Sequence, residues 1–105
     1  MLLLEFTMTG TKHSAAYALH KGDIKSEDML GLELDRANQY DENAMKVLWQ
    51  GEHIGWVPKR LGEAKNMLAR LMDHFTISAQ VYQHEPDNPI DMQLIIRVEL
   101  LEHLE

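Results

Sequence analysis

The apolar residues of this chain change period along its length, and that change limits the folds open to it. Leu2, Leu4, Phe6 and Met8 alternate with Leu3, Glu5 and Thr7, as in a strand with one buried face. Gly10 ends it with a turn. Ala15, Ala16, Ala18 and Leu19 favour a short helix that Gly22 can stop. Leu30, Leu32 and Leu34 alternate as a second strand. Residues 35–43 are polar and rich in Asn and Asp, which favour turns through side-chain-to-backbone bonds. Met45, Val47 and Trp49, then Ile54 to Val57 beyond a Gln50-Gly51-Glu52 turn, predict a hairpin. After Pro58, suited to a first helical turn, Leu61, Ala64, Leu68, Leu71 and Phe75 form one helical stripe. Lys59, Arg60, Glu63, Lys65 and Arg70 fall off that stripe. Ile77, Ala79 and Val81 predict a fifth strand. Beyond a loop with two prolines, Met92, Leu94, Ile96, Val98 and Leu100 predict a sixth.

Six short strands with one clear helix and a second short one predict a mainly β (α+β) fold. The expected form is a small antiparallel OB-like barrel, its sheet closed on itself and a helix over one end. A doubly wound α/β fold needs repeated βαβ units, and at most one is present. The length of 105 residues suits a single domain spanning 1–105. Cysteine is absent, which removes disulfides, thiolate nucleophiles and Cys-based zinc sites, and fits a reducing cytoplasm. The first apolar run is broken by Glu5 and lacks a basic flank, so neither a signal peptide nor a membrane span is expected. The reading is a soluble, cytoplasmic protein.

Catalytic signatures are missing. The histidines at 13, 20, 53, 74, 84 and 103 have no i, i+4 or H-x-H spacing, so no metal and no other cofactor is expected. There is no phosphate-cradling G-x-x-x-x-G-K and no G-x-S-x-G turn, and a chain without enzyme activity of its own is expected. The loop Asn38–Asn43 has two readings. Tyr40, Asn38 and Asp41 are the types that supply a stacking face, an edge reader and a hydroxyl acceptor for a nucleotide. Equally, Asn38, Asp41 and Asn43 can simply cap a turn while Tyr40 packs on the barrel. Lys59 and Arg60 stand at a helix entrance, where phosphate oxygens are attracted, or on a solvated face. Trp49 shares the face of Met45 and Val47 and reads as core, whereas Trp56 can lie either in the core or at the surface as a stacking platform.

The stretch Leu34 to Pro58 carries N-x-Y-D-x-N-A (Asn38 to Ala44) and, downstream, I-G-x-V-P (Ile54 to Pro58). Together with Gly10-Thr11 and the later Leu/Ala helix, these resemble the HIRAN domain over most of residues 2–82. The resemblance implies an OB-type barrel of a kind attached to repair helicases and nucleases or standing alone in bacteria. It implies binding of single-stranded DNA, as at a free 3′ end in a eukaryotic fork-remodelling helicase. By that resemblance Asn38, Tyr40 and Asp41 line the pocket for the terminal nucleotide and Lys59 reaches phosphates. Lys12 and His13 fall where the family has a basic residue and a stacking aromatic. Arg36 and Gln39 replace the prolines that usually flank the Asn.

The formal net charge of −7 argues against coating of nucleic acid through bulk charge. It is unevenly spread: residues 59–70 hold four basic and one acidic residue, while residues 84–105 hold six acidic residues and one Arg. The resulting expectation is a module that binds single-stranded DNA weakly and salt-sensitively at a short site, in repair or processing of DNA. The alternative is a protein-interaction module that recruits a repair protein. Leu3, Ile95 and Leu101, opposite the main stripes, mark a candidate homodimer surface.

Overall fold

Residues 1–101 are described by the computed structural model; His103 lies outside them. The alternating segments form six strands: β1 (Leu2–Thr7), β2 (Met29–Leu34), β3 (Met45–Trp49), β4 (Glu52–Trp56), β5 (Ile77–His84) and β6 (Leu94–Leu100). Helix α1 (Ala15–His20) follows a 3-10 turn at Thr11–His13, and helix α2 (Glu63–Met72) follows another at Lys59–Leu61. All strand pairs are antiparallel, in the order β1-β6-β5-β2-β3-β4.

The expected closed barrel is an open sheet. Strands β2 and β5 pair over only two positions, Met29 with Gln80 and Leu30 with Ala79. The sheet edges, β1 and β4, approach again beyond the end of β1. They meet in a single bridge: Thr9 N donates to Trp56 O at 3.1 Å and Trp56 N to Thr9 O at 2.9 Å. One bridge is too little to make a ladder, and a bulge between Leu2 and Leu4 already disrupts β1.

The concave face holds Phe6, Met8, Met45, Val47, Ile54, Val81, Leu94, Ile96 and Val98, with Leu68 of α2 covering it. Each such large side chain contributes about 1.5–3 kcal/mol by leaving water. The β3–β4 hairpin turns through Gln50 and Gly51, both at positive φ, as a two-residue turn requires. Gly55 is held to glycine by crowding: a Cβ there would lie 2.6 Å from Met8 Sδ and 2.8 Å from the Thr9 carbonyl oxygen. Ser14 caps α1, its Oγ accepting from Tyr17 N at 3.0 Å and donating to His53 O at 2.9 Å, which ties the helix to β4. Tyr17 is buried, and its hydroxyl donates to Gln93 Oε1 at 2.5 Å.

Three further expectations are corrected. Pro58 opens the 3-10 turn rather than α2, which starts past Gly62. The buried stripe of α2 runs through Lys65, Leu68 and Ala69, while Phe75 lies beyond the helix end and is exposed. Met92 is exposed and precedes β6. Among the described residues no helix is long and apolar enough to cross a membrane.

Candidate nucleic-acid interface

The polar loop between β2 and β3 is held by its own side chains. Asp35 N donates to Ala44 O at 2.8 Å and closes its base. Asn38 Oδ1 accepts from Tyr40 N at 2.9 Å and Asp41 N at 3.0 Å, and Asp41 Oδ1 accepts from Asn43 N at 3.0 Å. These Asx bonds fix the turn without strand or helix. Two contacts then fasten it to consecutive residues of α2. Asn43 Nδ2 donates to Asn66 Oδ1 at 2.9 Å, and Lys65 Nζ is bonded to Asp41 Oδ2.

No local sequence pattern announces the Asp41–Lys65 pair. Helical spacing puts Lys65 among the solvated cations, yet its side chain is only 3% exposed, against 20% for Asp41. The hydrogen bond from Lys65 holds the Asp41 carboxyl below its ordinary value of 3.8. Partial burial opposes this; the Asn43 N–H and the charges of Lys65 and Lys59 reinforce it. The local basic excess of residues 59–70 is therefore smaller than a count of charges implies, because Lys65 is neutralised in place.

Beside this loop, where the sheet edges meet, lies a pocket of about 240 Å³ lined by Thr9, Asn38, Tyr40, Asp41, Ala44, Trp56, Val57 and Lys59. Five of the eight residues singled out from the sequence thus line one cavity: Asn38, Tyr40, Asp41, Trp56 and Lys59. Tyr40 is 86% exposed, so its ring does not pack on the sheet. Asn38 has spent its carboxamide oxygen, leaving its NH₂ as donor. Lys59 Nζ donates to Tyr40 O at 3.3 Å, a long bond that leaves two ammonium protons unused. Trp56 is half-buried and fixed from two sides. The His53 ring meets it edge-on at 4.7 Å. Gly10, at φ 75°, lies so close that a Cβ would be 2.6 Å from Trp56 Cδ1.

Lys12, His13 and Arg60 are exposed and do not line the pocket. The first two stand on the turn that directly follows Gly10 and packs against β4. Thr9, Ala44 and Val57 complete the pocket walls; Ala44 and Val57 belong to the two motifs without having been singled out, and Thr9 carried no signal, being an ordinary residue at a strand end. Among the described residues no group of three His, Asp or Glu side chains is placed to hold a metal. Of the candidate homodimer residues, Leu3 is half-buried and packs against the core, Ile95 is half-buried and Leu101 is exposed; on the convex sheet face Arg97 stacks over the Tyr82 ring at 3.9 Å.

A family model for the HIRAN domain matches residues 1–99. Among solved structures, the chain is similar to the HIRAN domain of human HLTF, with 23% identity and a TM-score of 0.71 over 94% of this chain and 76% of that one. It is also similar to a Lactobacillus plantarum protein solved by a structural genomics consortium. There the identity is 19% and the TM-score 0.71, over 94% of this chain and 95% of that one. No curated protein matches it.

Proposed function

The chain belongs to the HIRAN domain family, and from that membership and the Asn38–Lys59 pocket we propose that it captures an end of single-stranded DNA without catalysis of its own. The HIRAN domain is known as a DNA-binding domain, which supports a nucleic-acid-binding module. The observation that carries the finer reading is the pocket itself: an outward aromatic ring, a free amide, a carboxylate and a cation around one cavity.

In this reading the terminal base stacks on Tyr40, whose exposed π face suits any base. Trp56, held by Gly10 and His53, supplies a second apolar wall. The Asn38 NH₂ donates to an acceptor on the base edge. A carboxylate has about four acceptor positions. Asp41 uses one on each oxygen, so a terminal sugar hydroxyl can still donate to it. Lys59 turns its free protons to the adjoining phosphate. Lys12, His13 and Arg60 act from outside the pocket on more distant parts of the strand. The setting proposed is DNA repair or processing in the cytoplasm.

Fluorescence anisotropy at low salt with single-stranded oligonucleotides carrying a free or a phosphate-blocked 3′ end tests this. Tighter binding of the free end supports it. Equal binding of both refutes end capture, and no binding refutes the DNA reading in favour of a protein-interaction module.

A further inference from the structure

The loop that walls the first pocket has a second cavity on its other side. This groove, of about 140 Å³, is lined by Arg36, Asn43, Asn66, Ala69, Arg70 and Asp73. Asn66 and Arg70, i and i+4 on α2, and Asp73, the residue that caps its C-terminus at i+7, share one side of that helix. Arg36 and Asn43 face them from the loop.

Its chemistry is that of an anion site. The Asn43–Asn66 bond leaves the Asn66 NH₂ as a free donor. Among the described residues Arg36 is paired only with Asp73, at 3.5 Å, and both side chains are more than half exposed, so the pair is weakly held. Arg70 is exposed and has no ion-pair partner among the described residues. Two guanidiniums therefore face one carboxylate, in a molecule whose formal net charge is −7. Guanidinium forks match phosphate oxygens bidentately, which a lysine ammonium does not.

Position links the groove to the first pocket. Asp41 and Ala44 line the pocket while Asn43, between them, lines the groove. Two residues of chain span at most about 7 Å, so the two cavities abut across a single turn. Asp41 and Asn43 are anchored to neighbouring residues of α2, which keeps that spacing fixed.

We propose that the Arg36–Arg70 groove is a phosphodiester subsite that holds the backbone of the strand whose end lies in the first pocket. The inference rests on the reading of that pocket and adds the path the strand takes away from it. A phosphate in the groove displaces Asp73 from Arg36 and engages Arg70.

The test uses labelled thymidine dinucleotide and octanucleotide with three proteins: the wild type, the double variant Arg36→Glu/Arg70→Glu, and Lys59→Glu. Both arginines are exposed, and the urea midpoint of each variant confirms its folding. The double variant is expected to bind the dinucleotide within twofold of wild type and the octanucleotide at least tenfold more weakly. Its slope of log affinity against log salt is expected to fall by about 0.7 for each phosphate no longer neutralised. Unchanged octanucleotide affinity in the double variant, with Lys59→Glu still weakened, overturns the subsite and leaves the first pocket standing. Equal weakening of both probes overturns it too, as an effect of overall charge. A wild type that binds neither probe overturns the pocket reading and the subsite together.

Discussion

Replacing Asp41 with alanine strands the Lys65 ammonium, whose side chain is only 3% exposed. Removing one partner of a buried ion pair costs about 3–5 kcal/mol, because the remaining charge stays desolvated. Asp41 is 20% exposed, so water can enter the vacated space, and the low end of that range applies. A loss of about 3 kcal/mol is a large part of the roughly 5–15 kcal/mol that holds a small domain folded. With a urea m-value of about 1.5 kcal/mol/M, the unfolding midpoint falls by about 2 M. Lys65→Met behaves differently. It keeps the buried aliphatic stem, removes the charge, and leaves Asp41 close enough to solvent to be hydrated, so its expected cost is about 1 kcal/mol or less. Paired urea titrations of the two variants measure this asymmetry. If Asp41→Ala costs less than Lys65→Met, the loop is not anchored by this pair, and the reasoning fails.

The same pair sets a pH dependence. Because Lys65 lowers the Asp41 value in the fold, its contribution is complete above the ordinary 3.8 and is lost as pH falls through the lower folded value. The stability gap between wild type and Asp41→Asn, followed by urea midpoints from pH 6 to pH 2, should narrow only below about pH 4. Gly55→Ala forces a methyl against Met8 and the Thr9 carbonyl oxygen; a loss of about 1–3 kcal/mol is expected by thermal unfolding. Tyr17→Phe leaves the buried Gln93 Oε1 without its donor; about 1–3 kcal/mol is expected in the same assay. Lys59→Glu should abolish oligonucleotide binding in anisotropy while lowering the urea midpoint only slightly, since Lys59 is exposed, its bond to Tyr40 O is long and its charge is the smallest of the contributions acting on Asp41.

Alternation located β1, β2, β3, β5 and β6 and helical spacing located α2, because period reports directly on which face is buried; α1 was legible only through its alanines, and β4 only through the turn before it. The openness of the sheet was not legible. It depends on how many backbone bonds join β1 to β4, and these lie some 47 residues apart at Thr9 and Trp56. The N-x-Y-D-x-N-A segment marked the loop, and with Trp56 and Lys59 it marked most of the pocket's polar wall. Lys65 defies its residue type for a reason visible in the helix. The helix buries it together with Leu68 and Ala69, whereas the expected stripe ran through Ala64 and Leu71 and left it outside; a lysine signals solvent unless its carboxylate is known. That carboxylate is Asp41, on a loop that no local pattern ties to α2.

The two tryptophan indoles offer the most direct measurement of where a strand end binds. Trp56 lines the pocket, whereas Trp49 is buried and its Nε1 donates to Asp28 Oδ2 at 3.1 Å. In a ¹H–¹⁵N titration with a single-stranded oligonucleotide bearing a free 3′ hydroxyl, the Trp56 indole signal and the Asn38–Ala44 amides should move together while the Trp49 indole stays fixed. Shifts confined to the convex face around Tyr82 and Arg97, with Trp56 unmoved, would contradict the account.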